Sequence, residues 1–246
     1  MERKHKVAVV TGASTGIGRA IAEKFLGAGY RLAVMARSEQ GLLELKKQSP
    51  ENVLVVPGDV TKTADLDRLG AETIKAFGAV DVPNAGGAKV VSFENSDQVA
   101  IADQFNLNFV AATETVRKFL PHINGGGSVL FITTFLTTVG FPGLAIYNSS
   151  KAALKSFAQT LAVELAPRKI RVNCVAPGPI STPLWSKVGL PDDVLAAVGK
   201  NINARLMPGA FGEANDIAET ALFLASEGAK NIYGQEIVVD GGYTIG

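Results

Sequence analysis

Two groups of residues in this 246-residue chain could do chemistry. Tyr147 and Lys151 stand four apart in Tyr147-Asn148-Ser149-Ser150-Lys151, so on a helix they share a face and can meet one target. A phenol titrates near ~10 and shuttles protons poorly at neutral pH unless a nearby cation favours its ionised form. Lys151 could supply that cation. By itself Tyr-x-x-x-Lys is frequent by chance and also describes a solvated helix edge. The second group is Thr11-Gly12-Ala13-Ser14-Thr15-Gly16-Ile17-Gly18, between a short apolar run and a segment carrying Ile21, Ala22 and Phe25 at helical spacing. Its glycines let the main chain turn sharply and approach a diphosphate, while the free N–H groups and dipole of the helix start attract the charge. The spacing is Gly-x-x-x-Gly-x-Gly, which departs from the general Gly-x-Gly-x-x-Gly fingerprint; a tight strand-to-helix turn with no ligand would look similar.

The same segment reads Gly12-x-Ser14-x-Gly16, the nucleophile elbow of α/β hydrolases. That chemistry needs an acid and then a histidine downstream, and His122 is the only histidine that follows. It sits at the end of a predicted helix before Gly125-Gly126-Gly127, where it suits the negative helix end better than a triad. Cys174 is the single cysteine, so no internal disulfide or multi-cysteine cluster can form, and His5 and His122 are too few for a histidine metal site.

The elements that must position these groups are legible as a pattern. Hydrophobic residues make up 47% and charged residues 19%, enough to bury a sizeable core, and the length suits one large α/β domain over 1–246. Short β-branched runs predict strands at Val7–Val10, Arg31–Met35, Val53–Val56, Ser128–Ile132, Ile170–Val175 and Glu236–Val239, with a weak one near Ala79–Val82. Segments of helical period lie between them, with apolar faces such as Phe105, Phe109, Ala112, Val116, Phe119 and Leu154, Ala158, Leu161, Leu165. This alternation predicts βαβ units and a parallel sheet. Gly178 to Gly212 breaks it, carrying Pro179, Pro183, Pro191 and Pro208, and at ~35 residues far exceeds a usual connection. It reads as a mobile flap or a small helical insertion over a site, with Leu184, Trp185, Val188, Leu206, Met207 and Phe211 as an apolar lining.

Lys and Arg number 24 against 23 Asp and Glu, a net charge of +1, and no basic block follows residue 6, which argues against a nucleic-acid partner. The uncharged stretch from Gly125 to Ser150 is long enough for a bilayer but carries four threonines, Gly140, Pro142 and Gly143 in its middle, so it reads as a buried strand and a loop and not as a membrane span. Arg3-Lys4-His5-Lys6 precedes only four apolar residues, too few for an export signal, and a cytoplasmic protein is expected.

These residues converge on a family. The chain resembles the short-chain dehydrogenases/reductases over almost its whole length, through Thr11-Gly12-x-x-x-Gly16-x-Gly18, Asp59, Asn84-Ala85-Gly86, Asn108, Tyr147-x-x-x-Lys151, Pro177-Gly178 with Thr182, and Asp240-Gly241-Gly242. The resemblance implies a Rossmann-type doubly wound sheet of about seven parallel strands with helices on both faces. It implies hydride transfer between NAD(P)(H) and a small-molecule carbonyl or alcohol. Tyr147 would exchange a proton with the substrate oxygen, Lys151 would hold the nicotinamide ribose and lower the tyrosine pKa, and Asn108 would position a water that relays the proton. Cofactor contacts would come from Gly12, Ser14, Thr15, Gly16, Ile17 and Gly18, from Arg37, Ser38, Asp59 and Val60, and from Asn84, Ala85 and Gly86. Pro177, Gly178, Ile180 and Thr182, with Tyr147 and Lys151, would complete them. Independently of the resemblance, Gly12, Asp59, Asn84, Thr134 and Pro177 each fall just after a predicted strand, at the carboxyl edge where open α/β sheets bind ligands.

Members that prefer NAD tend to carry an acid at the end of the second strand. Here Ala36 stands there, followed by Arg37 and Ser38, which could bind a 2′-phosphate; NADP is expected, with NAD possible. The resemblance also implies a homotetramer built on the helices near 103–122 and 147–165 and the C-terminal segment, though dimers occur. Two departures stand out. Thr134 takes the place of the usual serine thirteen residues before the tyrosine, adding a methyl that restricts χ1. The segment Asp81-Val82-Pro83-Asn84-Ala85-Gly86 is about two residues short, and Pro83 lacks a ladder N–H. Both keep open an alternative: a dinucleotide-binding regulatory or structural protein with impaired turnover.

Overall fold

The computed structural model describes residues 5–78, 80, 82–84, 93–183, 185 and 191–246. Among the described residues the sheet strands are Val7–Thr11 (β1), Arg31–Met35 (β2), Val53–Val55 (β3), Val82–Asn84 (β4), Ser128–Ile132 (β5), Arg171–Pro177 (β6) and, after a small pair Ile180–Ser181 (β7) and Gly212–Glu213 (β8), Glu236–Val239 (β9). Every pairing is parallel. One ladder runs β3-β2-β1-β4 and the other β5-β6-β9, with β4 lying beside β5. The order reverses between β1 and β4, the topological switch point of a doubly wound sheet.

The strands are apolar on both faces because both faces are covered. Ala8, Val10, Leu32, Val34 and Leu130 point into one core with Phe25 of helix α1 (Gly16–Gly27), Leu42 of α2 (Glu39–Gln48) and Leu224 of the last helix. Their neighbours Val9, Ala33, Met35 and Phe131 point into a second core with Leu69 of α3 (Thr63–Phe77). The period of two along each strand thus sorts alternate residues to opposite faces. The second core is completed by α5 (Ala111–Phe119) and α6 (Ala145–Leu165) on that side, with Phe119 and Leu154 buried, and helix α4 (Gln98–Phe105) packs on α6. Helix α7 (Asp192–Arg205) follows, then α8 (Ala214–Ala225), which closes the first face against α1.

Most strand bounds match the sequence pattern, and β4 does not. The weak apolar run near Ala79–Val82 predicts a strand there, yet the ladder is formed by Val82–Asn84, with Ala8↔Val82, Val9↔Pro83 and Val10↔Asn84 in register. Val80 makes only an isolated bridge to Ile123. The register is decided by where β1 offers its main-chain groups, and Pro83 enters it despite lacking an N–H. Among the described residues of Gly178–Gly212, α7 lies between the two short strands β7 and β8. Gly125–Ser150 resolves into β5, a loop and the first turn of α6. Among the described residues no helix is long and apolar enough to cross a membrane.

Candidate active site

The glycine turn leaves β1 and enters α1 at the carboxyl edge. Gly12 (φ 69°) and Gly16 (φ 57°) adopt left-handed backbone that a side chain would strain. At Gly18 a Cβ would lie 2.3 Å from the Gly12 carbonyl oxygen, so α1 starts hard against its own approach strand. Thr15 caps α1 without a side-chain hydrogen bond, and the first turn carries no acid. The positive end of this helix is therefore left unanswered by nearby side chains, the condition under which a diphosphate binds. A Cβ at Gly16 would sit 3.6 Å from the Thr182 side chain, which places Thr182 across the turn from the helix start. A Cβ at Gly178 would lie 2.4 Å from Asp240 Cα, and the Gly178 N–H donates to the Val239 carbonyl at 2.9 Å. Pro177-Gly178 and Asp240-Gly241-Gly242, far apart in sequence, thus form one packed corner. The glycine cradle and its uncapped helix fit a dinucleotide.

On the rim between β2 and β3, Ala36 is buried while Arg37 and Ser38 are exposed, and Ser38 opens α2 with no capping bond from its hydroxyl. Asp59 accepts from the Thr61 N–H at 3.0 Å and the Thr61 hydroxyl at 2.8 Å. The Thr61 backbone bond is the main reason its carboxyl titrates below the usual range, with Arg37 and Lys62 adding their charge, which puts Arg37 on the same rim. Val60 follows, partly exposed. Asn84 ends β4 opposite Val10, whereas Ala85 and Gly86, like Leu184 and Val188 of the insertion, lie outside the described residues. Gly41 carries a role that the sequence did not signal. A Cβ there would meet the Ser14 carbonyl oxygen at 2.7 Å, so its absence lets α2 pack directly on the glycine turn.

Helix α6 presents Tyr147 and Lys151 on its inner side. Lys151 is 2% exposed, and its Nζ donates to the Ile132 carbonyl at the end of β5 at 2.7 Å. Desolvation pushes its ammonium down to about 8. Thr134 is buried just past β5, and its side chain is the neighbour that lowers the Tyr147 phenol against the effect of burial. Lys151 is not among the groups that move the phenol here; burial and Thr134 are. Burial pushes Tyr147 up to about 12, and Thr134 is what opposes the rise. The Lys151 ammonium spends itself on the Ile132 carbonyl. Asn108 is fully buried in a π-helical segment, Asn106–Val110, between α4 and α5, and its amide donates to Gln104 at 3.1 Å. Such a bulge re-aims side chains out of the regular helical register, and this one packs against α6.

The structure also brings in residues that no motif pointed to. Glu236, at the start of β9, accepts from the Thr133 hydroxyl at 2.7 Å and the Thr137 hydroxyl at 3.1 Å, and pairs with Lys155 at 2.6 Å. Above these, Tyr147, Trp185 and Phe211 pack against a small apolar cluster with Phe135, Leu144, Leu206 and Tyr243, beside α7. The hydrolase alternative finds no support in the geometry: His122 lies just before the Val80–Ile123 bridge, at the amino edge of the sheet, opposite Ser14. No cluster of His, Cys, Asp and Glu suited to a metal occurs among the described residues.

A family model described as enoyl-(acyl carrier protein) reductase matches residues 12–244. The chain is 34% identical over 97% of its length to 2-(R)-hydroxypropyl-CoM dehydrogenase of Xanthobacter autotrophicus, covering 98% of that protein. It is 32% identical over 98% of its length to the NAD-dependent glycerol dehydrogenase of Listeria innocua, covering 94% of that protein. Among solved structures, a short-chain dehydrogenase/reductase of Brucella melitensis described as a glucose/ribitol dehydrogenase superposes with a TM-score of 0.90, at 27% identity and with 99% of each chain covered.

Proposed function

The chain belongs to the short-chain dehydrogenases/reductases and is an NAD(P)-dependent oxidoreductase, and on that footing we propose that it interconverts a small-molecule carbonyl and its alcohol with NADP(H). The observation that carries this reading is the placement of Tyr147 next to the buried Thr134, with the buried Lys151 on the Ile132 carbonyl, at the same sheet edge as the glycine cradle. When bound, the dinucleotide supplies or accepts the hydride. The residues that would hold it are Gly12, Ser14, Thr15, Gly16, Ile17 and Gly18 with the start of α1, then Arg37, Ser38, Asp59, Val60, Asn84, Ala85 and Gly86, and finally Tyr147, Lys151, Pro177, Gly178, Ile180 and Thr182.

In reduction, Tyr147 gives its phenolic proton to the substrate oxygen as the carbonyl carbon takes the hydride, so carbonyl, hydride and proton sum to the alcohol. Held near 12, the phenol carries that proton at neutral pH, the form reduction requires. Thr134 donates its hydroxyl to the same oxygen and keeps Tyr147 in line. Lys151 is mainly cationic at neutral pH, and Asn108 on the adjacent π segment would hold the water that returns a proton to the site. Support for NADP comes from buried Ala36 in place of an acid, with exposed Arg37 and an uncommitted Ser38 hydroxyl beside it. A homotetramer through this side is supported by exposed Val99 of α4, Val110 of the π segment and Val163 of α6.

NADPH consumption by the purified protein across a panel of ketones and aldehydes tests the proposal. Tyr147→Phe should lower kcat by about 10²–10⁴ while dinucleotide binding persists. Arg37→Asp should move the NADPH/NADH preference towards NADH by roughly ten- to hundredfold, the value of a charge-assisted contact. Dinucleotide binding with no turnover across the panel would instead favour the regulatory or structural reading.

A further inference from the structure

Glu236 opens β9 in register with Cys174 of β6, yet its side chain crosses to the end of β5. That side chain is 6% exposed. A carboxylate removed from water costs several kcal/mol unless charge and hydrogen bonds replace its hydration. All its partners belong to the two elements that carry the active residues. Thr133 donates to Oε1 at 2.7 Å, and Thr137 donates to Oε2 at 3.1 Å. Lys155 approaches Oε2 at 2.6 Å. Thr133 and Thr137 bracket Thr134 on either side, and Thr137 turns back to the Thr134 carbonyl through its N–H at 3.1 Å, while its one hydroxyl proton is shared between that carbonyl and Glu236, both at 3.1 Å. Lys155 stands one helical turn beyond Lys151 and two beyond Tyr147 on α6.

We propose that Glu236 is a positioning residue that clamps the turn bearing Thr134 to the helix bearing Tyr147 and Lys151, and so fixes the Thr134 hydroxyl against the Tyr147 phenol. Thr134 caps a short 3₁₀ turn, Phe135–Thr137, its hydroxyl accepting from the Leu136 N–H at 3.4 Å, and a β-branched side chain follows its backbone closely. Displacement of the turn by about 1 Å would move the hydroxyl out of line, and misplacement on that scale can cost on the order of 10² in rate. The proposal rests on the catalytic reading above.

Its test separates the clamp from simple neutralisation of Lys155. Lys155→Met/Glu236→Met removes both charges together and keeps the space filled, so the fold is spared an orphaned ion. The clamp predicts that this double variant loses roughly 10- to 100-fold in kcat with the dinucleotide KM unchanged. Glu236→Gln, which keeps an acceptor oxygen, should lose roughly tenfold at most, the worth of a weakened hydrogen bond. Thr133→Val/Thr137→Val should reproduce the loss of the double charge variant and not add to it. Hydrogen exchange at the amides of Leu136, Thr137 and Thr138 should speed up in both double variants and stay slow in Glu236→Gln. Wild-type kcat and exchange in Lys155→Met/Glu236→Met would overturn the proposal, as would a proportional loss of dinucleotide affinity. If the wild-type protein binds NADPH and turns over nothing, the catalytic reading fails while the exchange experiment still reads the clamp.

Discussion

Lys151 offers a prediction that needs no substrate. Its ammonium is 2% exposed and holds one carbonyl, that of Ile132, and burial brings its pKa from 10.5 to about 8. A shift of that size corresponds to about 3 kcal/mol of preference for the neutral amine in the folded chain. The unfolded chain keeps the proton up to about pH 10.5, whereas the folded chain releases it from about pH 8. Between those values the unfolded state binds more protons, so stability rises with pH. Below the lower value both states are protonated and the full cost of the buried cation is felt. Tyr147, held near 12, acts in the opposite sense only above its ordinary value of 10, which closes the useful window there. Lys151→Met removes the titration and fills much of the same space. Urea unfolding of wild type and variant, followed by circular dichroism from about pH 7 to about pH 10 at fixed protein concentration, isolates the contribution. The wild type should gain about 2 kcal/mol or more on the variant across that range. A stability difference that stays flat with pH would refute the claim that Lys151 is a cation held against desolvation.

Gly18→Ala should raise the dinucleotide KM at least about tenfold and cost ~1–3 kcal/mol of stability, because its Cβ would meet the Gly12 carbonyl at 2.3 Å and the backbone must yield; binding by fluorescence and a denaturation curve check both. Gly70→Ala, inside α3 with no atom within 4 Å of the added Cβ, should stabilise by about 1 kcal/mol in the same denaturation assay. Thr134→Ser should keep most of kcat, while Thr134→Val should lose on the order of 10²-fold with little change in dinucleotide affinity, since the hydroxyl is the group by which Thr134 acts on the phenol.

Much of this molecule was legible from local pattern. The alternation of β-branched runs with helical segments predicted the parallel sheet because strand and helix periods are local properties. The glycines of residues 12–18 stood out because only they suit left-handed backbone and close approach. Tyr147 and Lys151 were paired by helical spacing alone. What local pattern misplaced was β4, where three residues find their register only against β1. It also missed the π bulge that aims Asn108, since hydrogen bonding in such a segment depends on what packs around it.

The sequence by itself determined the architecture, the glycine turn and the pairing of Tyr147 with Lys151 on one helix face, because each is encoded in residue type and short-range spacing. The tertiary structure alone decided the electrostatics of that pair. Lys151 spends its charge on the Ile132 carbonyl, the Tyr147 phenol is raised by burial and restrained by Thr134, and Glu236 reaches in from β9 to the threonines around the site. The physical reason is that a pKa depends on desolvation and on partners within a few ångströms, and residues a hundred positions apart become such partners only when the sheet brings them together.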